Sequence, residues 1–378
     1  MTPIRVLITG PSLRDQGGVA NYYNAVLPFL KADSRFAVEY CEIGSTRGSS
    51  GKLHVLADQA RFRHVIRTFS PSIVHVNPSL TVKSFFRDGA FVHHARQRKI
   101  PVMVFFRGWD RHMEARIDRY LNWFFRVTYG RADASLVLAS RFREKLREWG
   151  VSTPIETETT TVPDGFLKDF SIAEKMESIR STPVVKILFM ARLEHAKGVI
   201  ETMEAVMALR QAGAPVSLTI AGDGPARNEL GRMLDRSGAH RGFIELAGYV
   251  RDQQKRDLLT SHHIYCFPSD YAEGMPNSVL EAMAFGMPVI TCAVGGLTDF
   301  FENGRMGYLV ARRDTASIAE KLGALARDRV LASSISNFNY GYAIRRFLAS
   351  DVAARLTKRY LALSDSSTAR SFQVNPNR

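Results

Sequence analysis

The chain has 378 residues, 45% of them hydrophobic and 23% charged, which is too long for one ordinary core and suits two domains. No apolar run approaches the roughly 20 residues that span a bilayer, and the apolar stretch after Met1 is too short for a secretory signal and reads as a buried strand. The net charge of +14 is uneven: residues 1–150 carry 24 Lys and Arg against 12 Asp and Glu, whereas the rest carry 27 against 25.

A basic surplus confined to one part suggests an anionic partner there, for which nucleic acid and an anionic membrane both qualify; the plain alternative is a solvated basic surface. Cys41, Cys266 and Cys292 are too few and too scattered for a disulfide framework or a metal pattern, which fits a reducing compartment.

Along the chain, short β-branched runs alternate with longer helical patterns. The first part has runs at 5–10, 38–43, 73–76, 102–106 and 135–139, and the second at 185–191, 216–221, 243–247, 264–267 and 289–291. Such alternation predicts parallel sheets covered on both faces. The pattern restarts near residue 184, after the polar stretch 171–183. The expected architecture is therefore α/β, with two doubly wound Rossmann-like domains at 1–175 and 184–338. A helix is expected over 339–363, followed by a polar, unordered tail at 364–378.

Residues 111–129 have helical periodicity, with Met113, Ile117, Tyr120, Leu121 and Phe124 on one stripe. His112, Arg116, Arg119, Trp123 and Arg126 lie beside it, and Arg141, Arg143, Lys145, Arg147 and Trp149 repeat the flavour. Basic residues around aromatics suit a membrane interface or a lipid diphosphate. The plain alternative is a core helix with a solvated basic side.

Four segments carry chemistry. Gly17-Gly18 follows the first strand and opens a helix, where backbone can approach a phosphate closely. Arg192 and Lys197 lie beyond the first strand of the second domain, where a fork donor and a point charge can neutralise a diphosphate without metal. Gly222-Asp223-Gly224-Pro225 makes a strand-to-helix turn, and Tyr249-Val250 ends a further strand where a flat base could lie.

The fourth segment runs from Glu273 through Gly274, Met275, Pro276, Asn277 and Ser278 to Glu281. It sets one carboxylate in a loop and a second inside the helix that the loop opens. Carboxylates accept hydrogen bonds from sugar hydroxyls, and the helix N-terminus attracts an anion.

Other classes fit poorly. The first turn lacks the Gly-x-Gly-x-x-Gly of a dinucleotide-binding oxidoreductase, and Gly51-Lys52 lacks the rest of a phosphate loop. A nucleic-acid partner would explain the charge but not the paired glutamates, so none is expected.

Together these segments resemble the retaining glycosyltransferases of family 4, which have the two-domain GT-B fold. The resemblance spans nearly the whole chain and is strongest from 185 to 310. It implies two domains facing across a cleft, with the C-terminal helix returning to the first. By the resemblance, Arg192 and Lys197 bind the diphosphate of a nucleoside-diphosphate sugar, Glu281 holds the ribose hydroxyls and Glu273 contacts the donor sugar. Gly274 to Ser278 contact sugar and phosphate, Gly18 approaches the diphosphate, Gly222 lines the site, and Tyr249 and Val250 meet the base. Glu273, Arg192 and Lys197 are the catalytic candidates.

Two positions depart from the family. Arg107, with Asp110 near it, stands where many relatives carry an acceptor-side histidine, and Asp164-Gly165 replaces a common Asn-Gly. The implied activity is metal-independent and cofactor-free retaining transfer to a saccharide or polyprenyl-diphosphate-linked acceptor, in cell-surface polysaccharide, glycolipid or lipopolysaccharide assembly. The expected location is cytoplasmic, peripheral on the inner membrane face through the first domain. The alternative is a non-catalytic GT-B partner subunit.

Overall fold

The computed structural model describes residues 2–15, 17–44, 52–237, 242–271 and 274–373. The chain packs as two compact units. One comprises Met1–Thr161, Ala272–Met275 and Ala349–Arg378, and the other Val162–Tyr271 and Pro276–Leu348.

The first unit is built on six parallel strands: β1 (Ile4–Gly10), β2 (Phe36–Glu42), β3 (Ile73–Val76), β4 (Val102–Phe106), β5 (Ala134–Val137) and β6 (Ile155–Thr157). Their order is β2-β1-β3-β4-β5-β6. Every residue of β3 and β4 is buried, as a sheet covered on both faces requires. The direction of winding reverses between β1 and β3, which opens a crevice at their carboxyl ends.

The helix Ala349–Gln373 belongs to this unit and packs on the helix Gly18–Ala32 and on β3. Burial of Val352, Leu356 and Tyr360 anchors it. Arg355 and Arg359 both donate to the buried Glu158 carboxylate, Arg355 Nη2 at 2.7 Å.

The second unit has β7 (Val185–Met190), β8 (Val216–Ala221), β9 (Ile244–Gly248), β10 (Ile264–Phe267), β11 (Val289–Thr291) and β12 (Gly307–Leu309). All are parallel, in the order β12-β11-β10-β7-β8-β9. Winding reverses here between β7 and β10.

The structure corrects four expectations. The limit at residue 175 falls inside the helix Ile172–Ser181, which belongs to the second unit. There Ile179 is buried, and the buried Lys175 ammonium donates to the carbonyls of Leu259 (2.7 Å) and Thr260 (2.8 Å) at the end of the helix Asp252–Ser261. The helical pattern over 339–363 falls on two helices, Arg329–Ile344 and Ala349–Gln373. The second of these runs on into the stretch read as an unordered tail, which holds no Gly or Pro before Pro376 to stop it.

The stripe over 111–129 is broken. Arg111–Arg116 is α-helical, Ile117–Leu121 forms a π turn, and Asn122–Val127 resumes the α-helix. The wider turn rotates the following residues by about one position. Met113 and Ile117 are buried, but Phe125 and Tyr129 continue the core, not Tyr120, Leu121 and Phe124. Tyr120 and Trp123 are left 63% and 65% exposed.

Candidate active site

In the second unit the loops that leave β7, β8, β9 and β10 are stitched together by backbone hydrogen bonds. Leu193 N donates to Asp223 O at 3.0 Å, Gly222 N to Gly248 O at 2.7 Å, and Asp270 N to Ala196 O at 2.7 Å. Gly222 has φ +147°, and a Cβ there would lie 1.9 Å from Ala191 O. Only glycine lets the β8 loop close on the β7 loop.

This stitching brings the expected cations to the carboxyl ends of the strands where the winding reverses. Arg192 is exposed, with Nη1 3.0 Å from Glu194 Oε1. Lys197 Nζ lies 4.1 Å from the centroid of the Tyr271 ring and 5.8 Å from that of Phe267, which holds the ammonium over the end of β10.

The helix Asn277–Ala284 begins at Pro276 without a side-chain cap and without an acid in its first turn. Its leading N–H groups are available to an anion. Val279 N already bonds Pro276 O at 3.1 Å, so the amides of Asn277 and Ser278 are the ones that precede the intrahelical ladder.

One turn on, Glu281 is 5% exposed. Its Oε1 accepts from Lys255 Nζ at 2.6 Å, and Oε2 is buried without a partner. Tyr249 is exposed at the end of β9, with Val250 half-buried beside it. Arg227 Nη1 lies 3.6 Å from where a Cβ on Gly248 would sit, which puts a guanidinium beside the same segment.

The remaining expected residues gather in the first unit. Gly18 opens the helix Gly18–Ala32 behind an extended Gly17, again with no acid in the first turn. Arg107 follows β4 and is 7% exposed. Its guanidinium carbon stacks 3.8 Å from the Tyr22 ring centroid and 4.4 Å from that of Phe105, and Nε and Nη1 are buried without an acceptor. Burial holds its pKa below the ordinary arginine value.

Gly274 packs here too: a Cβ on it would meet Leu138 Cδ1 at 2.8 Å and Arg107 O at 3.4 Å. Met275 is buried next to it in sequence. Asp110, an acceptor-side candidate, caps the helix Arg111–Arg116, with Oδ1 accepting from Met113 N at 2.8 Å. Glu273 lies outside the described residues.

Sequence reasoning missed Lys255, Asp270 and Tyr271. Lys255 and Glu281 stand 26 positions apart on different helices, and no local pattern announces their pairing. Asp270, with Oδ1 2.8 Å from Arg312 Nη1, and Tyr271 follow Pro268-Ser269 just before the Glu273 segment, and that adjacency is a usable signal.

Two family models match the chain. Residues 18–163 match the glycosyl transferase 4-like domain, and residues 184–328 match glycosyl transferases group 1. Among curated proteins, TuaC of Bacillus subtilis (strain 168), named for a glycosyltransferase of teichuronic acid biosynthesis, is 24% identical over 309 residues. That match covers 80% of this chain and 73% of TuaC. Glycogen synthase of Mycobacterium tuberculosis is 31% identical over 48% of this chain and 43% of its own. The phosphatidyl-myo-inositol mannosyltransferase of Mycobacterium leprae is 28% identical over 48% and 47%. The chain thus spans less than half the length of these last two relatives.

Among solved structures, Anabaena Alr3699/HepE in complex with UDP and glucose superposes with a TM-score of 0.69 at 15% identity, over 94% of this chain and 99% of that one. Sucrose-phosphate synthase of Thermosynechococcus elongatus superposes at 0.74 and 16% identity, over 96% and 100%. At such identities the likeness establishes the fold, which is GT-B. With both halves matched in order, the chain belongs to the group 1 glycosyl transferases.

Proposed function

We propose that the protein moves a sugar from a nucleoside-diphosphate sugar to a hydroxyl of a saccharide acceptor with retention of the anomeric configuration. The carrying observation is the convergence of Arg192, Lys197, the N-terminus of Asn277–Ala284 and Glu281 at the carboxyl end of the second sheet. As the glycosidic bond breaks, the leaving diphosphate gains negative charge. Fixed cations and helix N–H groups stabilise that charge more in the transition state than in the ground state. They take the role that a metal ion plays elsewhere, so transfer proceeds without one.

On this reading Glu281 accepts from the ribose, Tyr249 and Val250 meet the base, and Glu273 orients the transferred sugar. The departing phosphate oxygen takes the acceptor's proton, on the same face as attack. Arg107 serves the acceptor side in place of a histidine. TuaC is named for teichuronic acid biosynthesis and the mannosyltransferase for phosphatidyl-myo-inositol, which supports a saccharide acceptor in polysaccharide or glycolipid assembly.

The exposed Tyr120 and Trp123, with Arg116, Arg119 and Arg126 beside them, suit the inner face of a membrane, where a lipid-linked acceptor would be met. No helix among the described residues is long and apolar enough to cross a membrane.

The test is to incubate the protein with donor sugars and read the anomeric configuration of the product by NMR coupling constants. Retention in the presence of EDTA supports the reading. Inversion, or a covalent glycosyl ester trapped on Glu273, overturns the same-face mechanism. Donor binding with no transfer or hydrolysis of any donor would favour a non-catalytic partner subunit.

A further inference from the structure

Glu281 is almost wholly enclosed, and its two oxygens have different surroundings. Its Oε1 accepts from Lys255 Nζ at 2.6 Å, while Oε2 is buried without a partner. A carboxylate in such a place is costly unless a cation neutralises it. Two other acids of the second unit's loops are engaged elsewhere: Glu194 with Arg192, and Asp270 with Arg312 and Arg313.

Lys255 is held as firmly as its partner. It lies in the first turn of the helix Asp252–Ser261, which begins two residues after Val250. Its side chain is 19% exposed, and its ammonium sits 5.4 Å from the Phe166 ring centroid. The far end of the same helix is tied by the buried Lys175 ammonium to its last carbonyls. One short, doubly anchored helix therefore links the segment that meets the base to the acid one turn into the next helix.

We propose that Lys255 is a positioning residue for nucleotide recognition. It holds Glu281 through Oε1 so that Oε2 is left as the acceptor for the ribose hydroxyls, and so makes the site select ribonucleotides over deoxyribonucleotides. The inference rests on the reading of Glu281 as the ribose acid. Without that hydrogen bond the carboxylate is free to rotate, Oε2 is no longer fixed, and the preference for a hydroxyl fades. Unlike a merely structural ion pair, this one acts on the ratio of two affinities.

The experiment measures, by calorimetry, the affinity of the intact chain for ADP, GDP, CDP, UDP and dTDP, then for the 2′-deoxy and 3′-deoxy forms of the tightest ribonucleotide. The wild type is expected to favour the ribo form by about tenfold or more, the scale of one hydrogen bond to a charged group. Lys255→Met and Lys255→Gln are expected to weaken the ribo form about tenfold and leave a deoxy form nearly unchanged, so that the ratio falls toward one. Lys255→Arg, which keeps the cation, is expected to keep most of the preference.

If both Lys255 variants weaken ribo and deoxy forms equally, or preserve the wild-type ratio, the proposal is overturned. Glu281→Gln separates the two readings. If it leaves the ribo preference intact, Glu281 is not the ribose acid and the underlying reading fails; if it erases the preference while the Lys255 variants do not, only the role of Lys255 fails. No binding by any ribonucleotide, or tightest binding of dTDP, overturns both.

Discussion

The Tyr360 hydroxyl lies 2.7 Å from His75 Nδ1, joining the C-terminal helix to the middle of the first sheet across 285 positions of chain. Burial, with help from the charges of Arg107 and Arg359, brings the His75 pKa down from 6.5 to about 3, so the ring is neutral in the fold. In the second unit, burial likewise brings His262 to about 4 and His263 to about 3. Between these values and 6.5 the unfolded chain binds more protons than the folded one, so stability rises with pH. The contribution is complete above 6.5 and is lost as pH falls through the folded values. Urea midpoints are therefore expected to drop between pH 7.5 and 5, with a shallower slope in His75→Gln. A flat profile over that range would contradict burial of neutral imidazoles.

Gly222 and Gly231 should respond oppositely to alanine. At Gly222 a Cβ meets Ala191 O at 1.9 Å on a backbone with φ +147°, so Gly222→Ala is expected to cost more than about 2 kcal/mol and to weaken nucleotide binding. At Gly231, inside the helix Arg227–Ser237, a Cβ meets nothing within 4 Å, and Gly231→Ala is expected to stabilise by about 0.5–1 kcal/mol. Denaturant titration of both variants checks the contrast.

Much of this was legible in the sequence where burial is continuous. β3, β4, β8, β10 and β11 have the limits read from their apolar runs. β6 and β12 escaped because they are three-residue edge strands: β6 buries only Ile155, and β12 only Gly307, which carries no side chain to signal it. Asp110, an acceptor-side candidate, stands three residues before Met113, which is also a helix-cap signal. The π turn at Ile117–Leu121 left no local mark, since its residues suit an α-helix equally well. Pairings such as Lys255 with Glu281 depend on how distant elements pack.

That π turn supplies a prediction for membranes. Tyr120 and Trp123 are mostly exposed, so Tyr120→Ser with Trp123→Ser should change stability by less than about 1 kcal/mol in total. The same double variant should lose most co-sedimentation with vesicles containing phosphatidylglycerol, and the binding that remains should weaken with salt. Equal binding to neutral and anionic vesicles, or no effect of the variant, would contradict a role at the membrane surface.

Arg107 is a buried cation held by aromatic faces, with its Nε and Nη1 unpartnered. Replacing it with Met removes a desolvated charge along with the stacking, so the two effects oppose each other. Arg107→Met is expected to shift stability by no more than about 1 kcal/mol while abolishing transfer to the acceptor and leaving nucleotide affinity unchanged. Loss of nucleotide affinity in this variant would move Arg107 away from the acceptor side.

Arg192, Lys197 and Glu281 are expected to form one metal-free binding site for a nucleoside diphosphate. The most direct measurement is calorimetric titration of nucleoside diphosphates in EDTA, with the wild type and with Arg192→Ala, Lys197→Ala and Glu281→Gln. The account predicts wild-type binding that EDTA does not alter, at least tenfold weaker binding in each variant, and for the two cation variants a loss of turnover of about 3 kcal/mol in barrier stabilisation. Binding that requires a divalent ion, or variants that bind like the wild type, would contradict it.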